Sequence, residues 1–123
     1  MESILASVKH QLGPEEEYEH FDPELILFIN SVLAEFTQMG VGPAKGFEIH
    51  DATETWHDFM GDDPRLNIAK TLLAGRVRKA FDPPQSSIVM AALNEIINDN
   101  TWRLVHAVEE IKAENEGGVI QNE

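Results

Sequence analysis

The sequence predicts an all-α domain: a small bundle of four main helices plus one short helix, with a long helix at the C-terminal end. Three observations carry this. Apolar residues recur at helical spacing through residues 22–39, 63–81 and 87–113. Each run is bounded by residues that start or stop helices, among them Asp22-Pro23, Gly40, Asp63-Pro64 and Asp82-Pro83-Pro84. Only Phe47-Glu48-Ile49-His50 alternates as a short extended segment would, within what is otherwise an ordered loop.

Taken in order, Ser3 through Leu12 puts Ile4, Leu5, Val8 and Leu12 on one side of a short amphipathic helix, and Gly13-Pro14 stops it. Glu15-Glu16-Glu17-Tyr18-Glu19-His20-Phe21 reads as an acidic connector. Asp22 is the expected N-cap of the next helix, with Pro23 in the first turn, where a missing N–H breaks no helical bond. Leu25, Ile29, Val32, Phe36 and Met39 then step by four and three, Ile26 and Leu33 widen the stripe, and Gly40 caps it. Gly40 to Gly46 cannot continue the helix. Thr53 or Thr55 is placed to cap a helix of one or two turns that carries Trp56, Phe59 and Met60 and closes at Gly61.

Asp63-Pro64 repeats the Asp-Pro start, and Leu66, Ala69, Leu73, Val77 and Ala80 follow at helical spacing as far as Phe81. Proline lacks the N–H and pushes the residue before it out of helical geometry, so Asp82-Pro83-Pro84 ends this helix and Ser86 or Ser87 caps the last. In that last helix Met90, Leu93, Ile97, Asn100, Leu104, Ala107 and Ile111 alternate steps of three and four, the spacing of a coiled-coil seam. Asn100 is the polar member, of the kind that fixes register or partner. Residues 1–112 form the expected helical domain. From Ala113 the chain turns polar and Gly117-Gly118 is expected to break the helix, leaving 113–123 as a tail that is flexible unless a partner holds it.

At 123 residues and 42% hydrophobic composition the chain suits one domain with a modest core. With no cysteine there is no disulfide framework, thiol nucleophile or thiolate metal site. No apolar run reaches the roughly 18 residues of a membrane span, and Met1-Glu2-Ser3-Ile4-Leu5 lacks the basic start of a signal peptide, so the expectation is a protein made and kept in the cytosol, or in something assembled there. A formal net charge of -13 opposes affinity for phosphates, whose binding is driven by cations. Such acidity reads first as a solvated surface, and more sharply as a wall past which DNA slides.

Little catalytic chemistry is visible, and neither an enzyme nor a cofactor is expected. The histidines His10, His20, His50, His57 and His106 form no His-Glu-x-x-His motif, the glycine-rich loop lacks a P-loop ending, and no Gly-x-Ser-x-Gly elbow occurs. The nearest approach to a metal cluster is His50-Asp51 and His57-Asp58 with Asp62 and Asp63, for which solvated loop residues are the simpler reading. Trp56 and Phe59 are read as core or interface. Arg76, Arg78 and Lys79, three of nine basic residues, offset the negative end of a helix dipole and also offer a patch to the acidic surface of another copy. With Asp82, Pro83 and Pro84 these make the candidate subunit interface. Trp102 lies off the seam and is left for a second packed face or a neighbouring subunit.

The order Phe21-Asp22-Pro23 with Asn30-Ser31-Val32, then Gly40-Val41-Gly42-Pro43 and Gly46-Phe47, Thr55-Trp56 with Asp58-Phe59, Phe81-Asp82-Pro83-Pro84 with Ser86-Ser87, and Trp102-Arg103-Leu104 resembles tailed-phage head-tail connectors, the small helical adaptors often labelled DNA-packaging proteins. The resemblance covers roughly residues 1 to 110 and rests on the order of the motifs together. It implies a non-enzymatic virion component that docks beneath the portal protein after packaging as a ring, a dodecamer, and carries the next neck, stopper or tail protein while genomic DNA passes through its channel without specific binding. No membrane is involved. It further implies that the last helix and tail reach the portal, which makes Trp102, Arg103, His106, Ile111, Val119 and Ile120 the candidate contacts. The proline corner would then hold the subunit contact and the portal contact in fixed directions. Two alternatives stand beside this reading: an acidic DNA mimic or helical regulator of a nucleic-acid enzyme, and a metal-dependent enzyme using His50, Asp51, His57, Asp58 and Asp62.

Overall fold

Five α-helices follow one another in the computed structural model, which describes residues 2–12 and 21–121, with side chains as far as Glu116. They are α1 (Ile4–Leu12), α2 (Asp22–Met39), α3 (Trp56–Met60), α4 (Ile68–Phe81) and α5 (Ser87–Gln121), with a 3-10 turn at Pro64–Asn67 leading into α4. Among the described residues there is no strand, and the all-α expectation holds. The Gly13-Pro14 stop and the acidic connector as far as His20 lie outside the described residues.

Local chemistry accounts for most boundaries. Ser3 caps α1 through its Oγ, which accepts from the Ala6 N–H at 3.2 Å. At the end of α2, Gly40 takes φ 104° and donates to Thr37, while the next amide, Val41, donates to Phe36 at 2.9 Å; this double closure satisfies carbonyls that the helix leaves open. Of the two threonines, Thr55 is the cap of α3, and it exchanges reciprocal bonds with Asp58. Ser86 caps α5.

Three expected boundaries differ. The helix expected from Asp63-Pro64 opens as a 3-10 turn over Pro64–Asn67, with Asp63 as its cap, and α4 begins only at Ile68. Asp22 is not the N-cap of α2; Phe21 holds that position with no side-chain capping bond to the helix, and Asp22 sits in the first turn. Its carboxylate is engaged instead by Lys9 of α1 at 2.9 Å, an ion pair that joins the two helices and still sets negative charge at a helix N-terminus. At the other end α5 continues through Gly117-Gly118 to Gln121. Glycine costs about 1 kcal/mol relative to alanine in a helix, yet it keeps its N–H, so it biases against helix without forbidding it as proline does.

The core is formed by the apolar faces named above, and they meet across sequence. Ile4, Leu5 and Val8 of α1, Leu25, Ile29, Val32, Leu33 and Phe36 of α2, Trp56 and Phe59 of α3, and Ala69, Leu72, Leu73 and Val77 of α4 are all buried. Ala80, on the expected stripe of α4, is exposed because the helix runs out past the core there. The extended segment is held by a side chain and not by a strand: Asn30 accepts from the Ile49 N–H at 2.8 Å and donates to its carbonyl at 3.0 Å. One amide thus satisfies both backbone groups of the residue that buries its side chain. The N-terminal residues pair similarly, with Trp56 donating to Glu2 and Ile4 to Glu54.

The seam of α5 finds its partner within the chain. Gly75 of α4 lies against Ile97 and Leu93, close enough that a Cβ there would stand 3.3 Å from Ile97 Cγ1, and Arg65 reaches Glu114, so α4 and α5 run antiparallel as a hairpin. Leu104 and Ala107 are buried, and Met90, Leu93, Ile97, Asn100 and Ile111 are partly covered. The rigid proline corner therefore folds α5 back along α4 and makes the tip of that hairpin.

Candidate functional site

Charge on α4 is one-sided. The helix bears Lys70, Arg76, Arg78 and Lys79, four of the nine basic residues of the chain, and no Asp or Glu. Lys70 is engaged by Glu2 at 2.9 Å. Arg76, a residue of the candidate subunit interface, makes a forked pair with Glu35 of α2, both bonds 3.0 Å. Preceding α4, Arg65 clasps Asp63 and reaches Glu114 at 2.6 Å, tying the 3-10 turn to the far part of α5. These bonds hold the Asp63 and Glu114 carboxyls below their ordinary range and push the Arg65 guanidinium up. Arg78 and Lys79 remain, exposed in the last turn and paired with no carboxylate among the described residues.

Hydrogen bonding from Arg76 likewise keeps the Glu35 carboxyl below its ordinary value of 4.5, against a smaller opposing effect of burial. Since the folded value lies below the unfolded one, the pair stabilises fully above that ordinary value and its contribution fades as pH falls through the folded value. Glu35 is about half exposed, so solvent screening keeps the effect small. Glu35→Gln is expected to cost about 1 kcal/mol or less at neutral pH. It should also narrow the gap between melting temperatures at pH about 6 and about 3; an unchanged gap in thermal melts would show that the pair contributes nothing to folding.

Apolar surface lies beside the unpaired cations. Phe81 meets Phe28 edge-on at 5.6 Å yet stays 40% exposed, and after the corner Ile88 is 80% and Val89 45% exposed. Asp82 and Pro83 are exposed and Pro84 half-buried. The other two members of the expected subunit interface sit elsewhere. Trp56 and Phe59 are each 2% exposed, because α3 turns both rings inward onto Phe36 and Phe47. They are core residues.

Of the candidate contacts on α5, Trp102 is 62% exposed and stands edge-on to His106 at 4.2 Å, while Arg103 pairs with Asp99 at 2.8 Å. These three lie on the outward side of the helix, away from Leu104 and Ala107. Ile111 instead turns inward, lining a shallow groove of about 420 Å³ with Met39, Gly40, Leu66 and Val108. The side chains of Val119 and Ile120 lie outside the described residues.

The histidine and aspartate residues of the metal reading are separated into local pairs. His50 bonds Glu54 at 3.1 Å, His57 bonds Asp62 at 2.7 Å, Asp58 is engaged in the α3 cap and Asp63 with Arg65. Among the described residues no three such groups are placed to hold a metal ion. No helix among them is long and apolar enough to cross a membrane.

A family model described as phage connector protein matches residues 4–111. The chain belongs to this family. The matched span opens on Ile4, the first core residue of α1, and closes on Ile111, the last residue of the α5 seam, so it coincides with the packed body of the fold. No curated protein and no solved structure matches the chain. A phage connector is a structural component of the virion and works in contact with other head or tail proteins. In this connector large exposed apolar side chains include Phe81, Ile88 and Val89 at the hairpin tip and Trp102 on the outward face of α5, besides Phe21 and Leu27 at the start of α2.

Proposed function

We propose that this connector assembles as a closed ring beneath the portal protein once the genome is packaged, and that the ring carries the next neck or tail protein. The family match over the whole packed body is the observation that carries the reading. The subunit fits it: a small helical body, rigid at the proline corner, with contact groups displayed at two places. The outward face with Trp102, Arg103 and His106 is the surface assigned to the portal, since an exposed tryptophan beside an arginine has the composition of an interface anchor.

DNA passes through the ring without specific binding. A subunit of formal charge -13 repels phosphates, and closing many copies around a channel sums that field over the screening distance of about 8–10 Å. Native mass measurement of the purified chain, alone and mixed with a portal ring, tests the proposal. The expected result is one closed oligomer, a dodecamer, that binds portal. A chain that stays monomeric in both conditions, or that binds a DNA-processing enzyme in place of portal, overturns it.

A further inference from the structure

Two faces of the fold differ in the sign of their charge. Resting on the ring reading above, we infer that the hairpin tip between α4 and α5 of one copy docks on the α3 end of a second copy. The tip, residues 78–89, carries Arg78 and Lys79 against Asp82 alone; both cations are exposed and paired with no carboxylate among the described residues, next to exposed Phe81, Ile88 and Val89. The receiving end holds the opposite charge. Residues 41–62 carry Glu48, Asp51, Glu54, Asp58 and Asp62 against Lys45 alone. Glu48 is exposed and Asp62 is 78% exposed with only a histidine beside it. Phe47 and Met60, partly covered by the core, add apolar surface there.

Geometry separates the two faces. Phe81 touches α2 at Phe28, whereas the acidic segment runs along α2 from Asn30, which bonds Ile49, to the C-terminal end, where the ring of Phe59 meets Gly42. Phe28 and Asn30 are two positions apart and so about 200° apart around the helix axis, which sets the tip and the acidic segment against opposite sides of α2. A symmetric contact of tip on tip would set Arg78 and Lys79 against their own copies, which like-charge repulsion opposes. A tip on an α3 end uses different faces of the two subunits. Such a head-to-tail contact closes as a ring when the rotation allows. An apolar centre with charges at its rim is the usual make-up of such a contact.

A charge swap tests the pairing. Self-association of the full chain is measured by sedimentation from about 50 to about 500 mM salt, free and, where the free chain is monomeric, on a purified portal ring. R78E/K79E and E48K/D62K are each expected to weaken assembly roughly tenfold or more at low salt. Combining all four substitutions is expected to restore it to near the wild-type level, a recovery that damage to folding cannot produce. Circular dichroism melts establish that each variant is folded. If R78E/K79E assembles like wild type, or the fourfold variant folds but is no better than either double, the face assignment is wrong and the ring reading stands. If wild type forms no oligomer free or on portal, the ring reading falls, and this pairing with it.

Discussion

Trp56→Ala is expected to destabilise the isolated chain by about 3–5 kcal/mol, the range for removing a large aromatic side chain from a core. The indole is 2% exposed and lies 6.3 Å from Phe59 between ring centroids, and Phe59 in turn packs on Phe36 and Phe47. Truncation therefore opens a cavity at the centre of an aromatic cluster. It also leaves Ser7 of α1 without the indole N–H that bonds its Oγ at 3.0 Å. Domains of this size are stable by about 5–15 kcal/mol, so the loss takes a substantial share of the folding free energy. Urea unfolding of the monomer is the measurement. Were Trp56 an interface anchor, the variant would unfold like wild type and fail only in assembly. Trp56→Phe, which keeps most of the volume and loses the bond, should cost far less.

A second large effect is expected at Gly42. Its φ is +77°, and a Cβ there would stand 2.6 Å from Phe59 Cε1 and 2.8 Å from the Phe59 carbonyl oxygen. Gly42→Ala meets two separate penalties. Left-handed backbone costs an L-residue about 1–2 kcal/mol, and forcing the added methyl into a packed site costs about 1–3 kcal/mol more. Gly46→Ala is the control. Its φ of +101° carries the same backbone penalty, but nothing lies within 4 Å of the added atom. Thermal melts should show Gly42→Ala destabilised by about twice as much or more. Equal losses would mean that the contact with Phe59 yields freely.

Much of the fold is legible along the chain because its causes are local. The stripes of α2 and α5, the Gly40 cap, the Thr55 start of α3 and the proline corner each depend on residues within a few positions of one another. Other outcomes depend on partners far away in sequence. Arg65 and Glu114 are 49 positions apart, Arg76 and Glu35 41, and Trp56 and Ser7 49. No spacing rule announces such pairs. Asn30 was visible as part of a family-like order of residues, yet its bond to Ile49 gives it a plain physical role that the order did not contain.

The candidate interface divides along the same line. Residue types drew attention to Trp56, Phe59, Arg76, Arg78 and Lys79 together, since aromatics and cations are common in contacts. Whether such a residue is available depends on what the rest of the chain does with it. Folding buries the first two and pairs the third with Glu35. It leaves Arg78 and Lys79 at the tip because α4 extends past the core before the prolines turn it back.

By itself the sequence determined that the chain is helical, where most of the described helices start or stop, and that it resembles phage connectors, because backbone preference and capping act over one or two turns. Tertiary structure alone decided that the α5 seam packs on α4 in the same chain, that α3 points its rings inward, and that Arg78 and Lys79 at the hairpin tip pair with no carboxylate among the described residues. Burial and ion pairing are set by distances in space, and these exist only once the helices have packed.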